Sequence, residues 1–254
     1  MVFLYGPVLF IPLFSFNDAI FAKFPLIGLT TRWYGEMIAD SGLLQALGNS
    51  LKVGAVVAVI STVLGTIAAK AVTRYRMPGK GPVIGFIMSP LVLPGIIMGV
   101  ALLIIFNNIL SMPLSLFTVG FGHTLICLPF AMAVMMSRLE GFDRALEEAS
   151  FDLGEGAWMT FWRVTFPLAL PGIVASLLLC FTTSFDEFIM AFFLAGNETT
   201  LPVFIYSQMR FPDRLPIVLA LGAIILMISF VVIVVALRLT RRGVTLGGVG
   251  APAR

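Results

Sequence analysis

Glu147-Glu148-Ala149-Ser150-Phe151-Asp152-Leu153-Gly154, followed after nine residues by Val164-Thr165-Phe166-Pro167, is a polar stretch between two runs apolar enough to cross a membrane. Apolar residues recur at Phe142, Leu146, Ala149 and Leu153, the i, i+4, i+7, i+11 spacing of one helical face. Asp143, Glu147 and Asp152 fall mainly on other faces. Gly154 can end such a helix because glycine accepts the left-handed cap conformation, and Gly156 allows a further turn. Ala157 to Thr165 can form a second short helix, stopped by Pro167. The loop 139–169 is therefore predicted to be a helix-turn-helix projecting from the membrane. Two readings of it stand. It is an amphipathic connector lying on lipid, which Trp158, Phe161 and Trp162 would suit, or a docking surface for another protein. Its acidic character favours the second, because anionic headgroups repel it.

The rest of the chain is suited to lipid. Of its 254 residues 59% are hydrophobic and 11% charged, with a mean hydropathy of +1.04, against about 25% charged residues in soluble domains. So little charge cannot cover a surface in water. A helical span needs ~20 mostly apolar residues, and six are read at roughly 3–16, 47–72, 81–106, 117–138, 170–195 and 214–238. The first is short and carries Pro7 and Pro12. The fold class is all-α, a polytopic membrane protein of about six transmembrane helices forming a single domain over 1–254, with no internal repeat or strand pattern. Pro90, Pro94-Gly95 and Pro129 are read as kinks, and Gly95 with Gly99 as a close-packing pair.

Eleven of the sixteen basic residues fall on one set of loops and five on the other. The excess puts the loop 139–169 and the C-terminus in the cytoplasm. Segments 17–46, 107–116 and 196–213 then face outward, with Trp33 and Tyr34 at the membrane interface and Glu36, Asp40, Arg210, Asp213 and Arg214 on the outer rim. The tail from Gly243 to Arg254 is glycine-rich and expected to be disordered. The net charge of +3 comes largely from span ends. No basic-aromatic surface accompanies it, so nucleic acid is not a predicted partner.

Catalytic chemistry finds little support. Cys127 and Cys180 lie in apolar runs and read as small buried hydrophobes. His123 is the sole histidine, which leaves a metal centre or a triad without members, and Ser184 has no histidine near it in sequence. No Gly-x-x-x-x-Gly-Lys-Ser/Thr loop is present to cradle a nucleotide. Of the thirteen acids, only Asp186 and Glu187 are placed well inside a span, where an unpaired carboxylate costs roughly 2.5–3.5 kcal/mol. No Lys or Arg lies mid-span to pair with them. Either they line a path for a cationic solute, together with Phe185 and Ser184, or they are structural.

Glu148-Ala149-Ser150, three residues, Gly154, nine residues, Val164-x-Phe166-Pro167 resembles the EAA motif of ABC importer permeases, which runs Glu-Ala-Ala, three residues, Gly, nine residues, Ile-x-Leu-Pro. Ser150, Val164 and Phe166 depart conservatively and the spacing is intact. Ser137 to Asp143, Ser184 to Glu187, Leu201 to Ser207 and Tyr75 to Lys80 are similar to the permeases of spermidine/putrescine importers.

The resemblance implies a type I ABC importer permease fold in a bacterial inner membrane and a non-catalytic subunit. Glu147, Glu148, Ala149, Ser150, Asp152, Gly154 and Pro167 would form the loop that docks on an ATPase. It also implies a second, homologous permease, two ATP-binding subunits and an extracytoplasmic solute-binding protein as partners. No cofactor is expected on this chain; ATP and Mg would be used by the ATPase. Permeases for opines, iron and other amines share some of these stretches and remain alternatives. Outside the family, the runner-up is an ion-coupled secondary transporter, a class that usually carries internal repeats.

Overall fold

A computed structural model describes residues 2–21, 24–75 and 78–246. Lys23, Arg76, Met77 and the expected tail from 247 onward lie outside the described residues. The described residues form twelve α-helices joined by short connecting segments: α1 (Val2–Ser15), α2 (Arg32–Ala39), α3 (Ser41–Arg74), α4 (Lys80–Met88), α5 (Gly95–Ile104), α6 (Leu116–Glu140), α7 (Ala145–Asp152), α8 (Ala157–Thr160), α9 (Phe166–Asp186), α10 (Ile189–Leu194), α11 (Leu201–Gln208) and α12 (Leu215–Leu246). Helices are what lipid demands, because they satisfy their own backbone polar groups.

Ser41–Arg74, Leu116–Glu140 and a continuous Ala157–Asp186 are long and apolar enough to cross a membrane. They correspond to the expected second, fourth and fifth spans, with the fifth shifted toward the N-terminus. The 32 residues of α12 cover the expected last span, and Gly243–Leu246 of the expected disordered tail are still helical. The fourteen residues of α1 fall short of a full crossing. The expected third span is not a kinked rod. Lys80–Leu91 and Gly95–Ile109 meet at 97°, because Pro90 and Pro94 remove two amide donors one turn apart and Pro94 pushes Leu93 out of the helical region. Pro129, by contrast, leaves α6 unbroken.

The chain divides into two compact units. The first comprises residues 1–43 and 205–254. In it α1 and α2 both pack on α12, and Gly222 lets Ile11 approach: a Cβ there would sit 3.1 Å from Ile11 Cγ2. Trp33 is buried. Its indole N–H donates to the Asn17 carbonyl at 2.9 Å, the partner a buried indole needs. Of the expected rim residues, Asp40 and Arg214 form an ion pair at 3.2 Å.

The second unit, 44–204, is built around α6. His123, Cys127, Ala131, Met132, Met135 and Leu139 follow one face of α6 and are fully buried. The α3 helix crosses it at Gly65, where a Cβ would lie 2.6 Å from Ala131 Cβ and 2.8 Å from the Met132 backbone nitrogen. Between α6 and α9, the Cys127 and Cys180 thiols donate to each other's backbone carbonyls at 3.6 and 3.5 Å. Thr62 of α3 and Ser176 of α9 share a buried hydroxyl bond of 3.0 Å. The α10 helix lies against α5 and α6 and closes on Gly99, where a Cβ would meet Phe193 at 2.7 Å. The expected Gly95/Gly99 close approach is thus realised between α5 and α10.

Two glycines of α3 should respond oppositely to one methyl group. Nothing lies within 4 Å of a Cβ at Gly48, so Gly48→Ala should stabilise by about 0.5–1 kcal/mol through helix propensity. Gly65→Ala presses on backbone that cannot swing away and should cost roughly 1–3 kcal/mol. Thermal unfolding of the detergent-solubilised chain separates the two, and equal shifts would contradict the α3–α6 crossing.

Candidate functional site

The polar stretch folds as α7, a glycine turn and α8. Asp143 Oδ1 accepts from the Ala145 N–H at 3.0 Å and starts α7. Gly154 ends it at φ +86°. The Glu155 N–H reaches the Ser150 carbonyl at 3.1 Å and the Gly154 N–H the Phe151 carbonyl at 2.9 Å, the two bonds of a Schellman cap. The turn therefore forms as the sequence predicts. The second helix does not stop at Pro167: α8 passes through a π-turn, Phe161–Thr165, straight into α9. Proline is tolerated there because it occupies the first turn of α9, and the wider π-turn has already displaced the carbonyl it would otherwise strike.

The apolar face of α7 points away from the spans. Leu146, Ala149 and Leu153 are all exposed, Leu153 at 86%. The buried positions are polar ones, Glu147 and Ser150. One carboxylate oxygen of Glu147 lies 3.0 Å from Arg74 Nε at the end of α3, and the other accepts from the Thr165 hydroxyl at 2.5 Å. Ser150 shares a 3.0 Å bond with Thr160 of α8. Arg74 also covers the Phe142 ring, with its guanidinium carbon 4.5 Å from the centroid, so Phe142 alone of the stripe turns inward. Arg144 donates to the Thr73 carbonyl. These polar ties fix which side of α7 faces the spans, and a short helix has too little apolar area to override them. Glu148 and Asp152 are exposed. Arg74 and Thr165 were absent from the expected site; no local pattern marks residues 73 and 18 positions away from Glu147.

Asp186 and Glu187 do not lie mid-span. Asp186 is the last residue of α9, and Glu187 is already extended, at φ −72° and ψ 116°. The 21 residues of α9 rise ~32 Å, which places the acids about one hydrocarbon thickness from Thr165. Glu187 is half-buried and its Oε1 accepts from the Met190 N–H at 2.9 Å, capping α10. Asp186 is exposed and has no ion-pair partner among the described residues. Phe185 stacks on Phe181, centroids 5.9 Å apart. The Thr182 hydroxyl is returned to its own helix. Ser184 is buried and lies 2.8 Å from His123 Nδ1. That pair, sixty-one residues apart, was not visible in the sequence. It is a tie between α6 and α9 rather than a nucleophile and base: both side chains are buried, and His123 Nε2 has no hydrogen-bond partner to orient it among the described residues.

Neighbouring glutamates should behave differently when neutralised. Glu147→Gln leaves the Arg74 guanidinium, 7% exposed, without its counter-charge and should destabilise by ~3–5 kcal/mol. Glu148→Gln should change stability by less than about 0.5 kcal/mol. Thermal unfolding of each variant checks this, and an undisturbed Glu147→Gln protein would remove the anchor assigned to that residue.

Residues 61–243 match the family model for the binding-protein-dependent transport system inner membrane component. The chain is 36% identical over 215 residues to the putrescine transport system permease protein PotI of Escherichia coli strain K12, covering 82% of this chain and 76% of that one. It is 35% identical over 249 residues to the spermidine/putrescine transport system permease protein PotC of the same strain, covering 98% and 93%. PotC of Haemophilus influenzae is 31% identical over 241 residues, with 94% and 93% covered. Among solved structures, a bacterial ABC transporter involved in the import of the acidic polysaccharide alginate superimposes with a TM-score of 0.64 at 21% identity, over 94% of this chain and 91% of that one. At that identity the likeness shows the fold alone. With its all-helical spans, its glycine-capped loop helix and a family match across most of its length, the chain belongs to the inner membrane components of binding-protein-dependent transport systems.

Proposed function

We propose that this permease subunit conducts a polyamine, putrescine or spermidine, and that α7 with its glycine turn is the surface on which an ATPase docks. The observation that carries the docking reading is the outward-facing apolar side of α7. Its polar face is anchored inward through Glu147 and Ser150, and its apolar residues Leu146, Phe151 and Leu153 are left exposed. An apolar stripe held outward by buried polar ties is costly in water unless another protein covers it. Because Glu147 joins α7 to the ends of α3 and α9, a push on α7 reaches two membrane-spanning helices directly.

The working unit then comprises this chain, a second homologous permease, two ATP-binding subunits that use ATP and Mg, and an extracytoplasmic binding protein. The basic-residue count supports a cytoplasmic C-terminus. Support for a cationic cargo comes from the PotI and PotC relatives and from Asp186, a carboxylate without an ion pair among the described residues, at the end of a spanning helix. An ammonium group can pair with such a carboxylate and lie over the face of Phe185. Glu187, engaged at the start of α10, shapes the passage rather than lining it.

The test is ATP-driven uptake of labelled putrescine into vesicles holding the reconstituted complex. Leu153→Arg should leave the chain folded and inserted but abolish uptake and the ATPase stimulation by binding protein; full stimulation would remove the docking role from α7. Asp186→Asn should slow uptake about ten-fold, the scale of one charge-assisted contact. Glu187→Gln, whose amide oxygen can still cap Met190, should stay near the unsubstituted rate, while Glu187→Ala should not. Normal uptake by Asp186→Asn would sink the cation path.

A further inference from the structure

Where α3 ends and α8 begins, two cavities adjoin. One, of about 380 Å³, has apolar walls from Thr66, Ile67 and Ala71 of α3 facing Trp158 and Phe161. The Thr66 hydroxyl is spent on its own helix, donating to the Thr62 carbonyl at 2.7 Å. The other, of about 210 Å³, is polar and bounded by Arg74, Arg144, Glu147 and Glu148. Lys70, Tyr75 and Ala157 line both. We propose that this bipartite groove binds one anionic phospholipid, its phosphodiester at Lys70 and Tyr75 and an acyl chain along the apolar wall.

Depth comes first. From Thr66 to Tyr75 the groove follows α3 for roughly 14 Å, back into a helix long enough to span the membrane. Trp158, Trp162 and Phe166 form an aromatic cluster beside it, with successive centroids 5.7 and 4.9 Å apart. Such clusters sit at the headgroup level. The Thr66 end belongs to the apolar, span-length part of α3, where an acyl chain is a better match than a soluble partner.

Charge comes second. Arg74 is committed to Glu147 and Arg144 to the Thr73 carbonyl. The Lys70 ammonium has the Phe161 ring 4.7 Å away and no carboxylate in ion-pair reach among the described residues. Lys70, Arg74 and Arg144 against Glu147 and Glu148 leave one net positive charge around the polar cavity. One charge matches a phosphodiester with a neutral headgroup, such as phosphatidylglycerol. A nucleotide or phosphomonoester brings more negative charge and meets Glu148. Basic pockets between spanning helices recognise acidic lipids on the same principle.

Trp158 reports the site directly. The full-length chain is placed in phosphatidylcholine vesicles containing increasing fractions of bromine-labelled phosphatidylglycerol, and tryptophan fluorescence is followed. The expected result is saturable quenching, where bromine-labelled phosphatidylcholine gives only a linear collisional loss. Lys70→Gln should raise the half-saturating fraction about five-fold, the contribution of one juxtamembrane lysine, and Lys70→Arg should restore it. Equal quenching by the two labelled lipids in the unsubstituted protein overturns the proposal without reference to any variant, and so does an unchanged Lys70→Gln curve. Relief of quenching by inorganic phosphate would assign the groove to a free anion, and relief by the ATPase subunits would assign it to them; either rejects the lipid. Because no transport is measured, the outcome is independent of the polyamine reading.

Discussion

The Glu147 carboxylate is the point on which the loop depends. It is shared between Arg74 at the end of α3 and Thr165 at the start of α9, so three segments distant in sequence meet at one buried charge. A buried ion pair of this kind is weak evidence for stability, since desolvation offsets much of its attraction. Its value is geometric. With the charge in place, α7 has one allowed rotation about its axis, and its apolar side faces outward. Take the charge away and an eight-residue helix has nothing comparable to orient it.

The loop is also joined to the spans without slack. A π-turn rather than a flexible linker joins α8 to α9, so Ala157–Asp186 is one continuous helix. Arg138 of α6 donates twice to the Leu168 carbonyl, at 2.9 and 2.6 Å, and Gly172 admits its side chain against α9. The α6 helix is in turn fastened near its start: Glu198 accepts from the Leu116 N–H at 2.7 Å, and Thr118 donates to the Leu194 carbonyl at 2.7 Å. Polar contacts therefore hold α6 at both of its ends, and close backbone packing at Gly65 holds it between them. In lipid, where water offers no competing partner, such contacts and small-residue crossings replace the hydrophobic drive of a soluble core.

At the opposite end, the structure separates two acids that stand side by side in the chain. The break after Asp186 leaves one carboxylate exposed and turns the other into a helix cap. Both carry a carboxylate, but their backbone conformations differ, and that difference decides which of them stays exposed.

Composition and periodicity alone determined the all-helical membrane class, three of the long spans and the Gly154 turn, because each rests on local physics: apolar length against bilayer thickness, and the left-handed cap that glycine accepts. The role of the loop was legible only through its resemblance to the EAA motif. What periodicity could not determine was direction. Phe142, Leu146, Ala149 and Leu153 form a helical stripe, and a stripe names a face without saying whether the interior or a partner covers it; Arg74 and Thr165 decided that from outside the motif. The 97° break at Pro90 and Pro94, the end of α9 at Asp186 and the burial of Trp33 were likewise decided by tertiary structure. A proline pair permits either a kink or a break, a run of apolar residues does not say where its helix stops, and an indole goes wherever its N–H finds a carbonyl. Ser184 and His123, sixty-one residues apart, carry no sequence signal of their contact, because only the crossing of α6 and α9 brings them within hydrogen-bond distance.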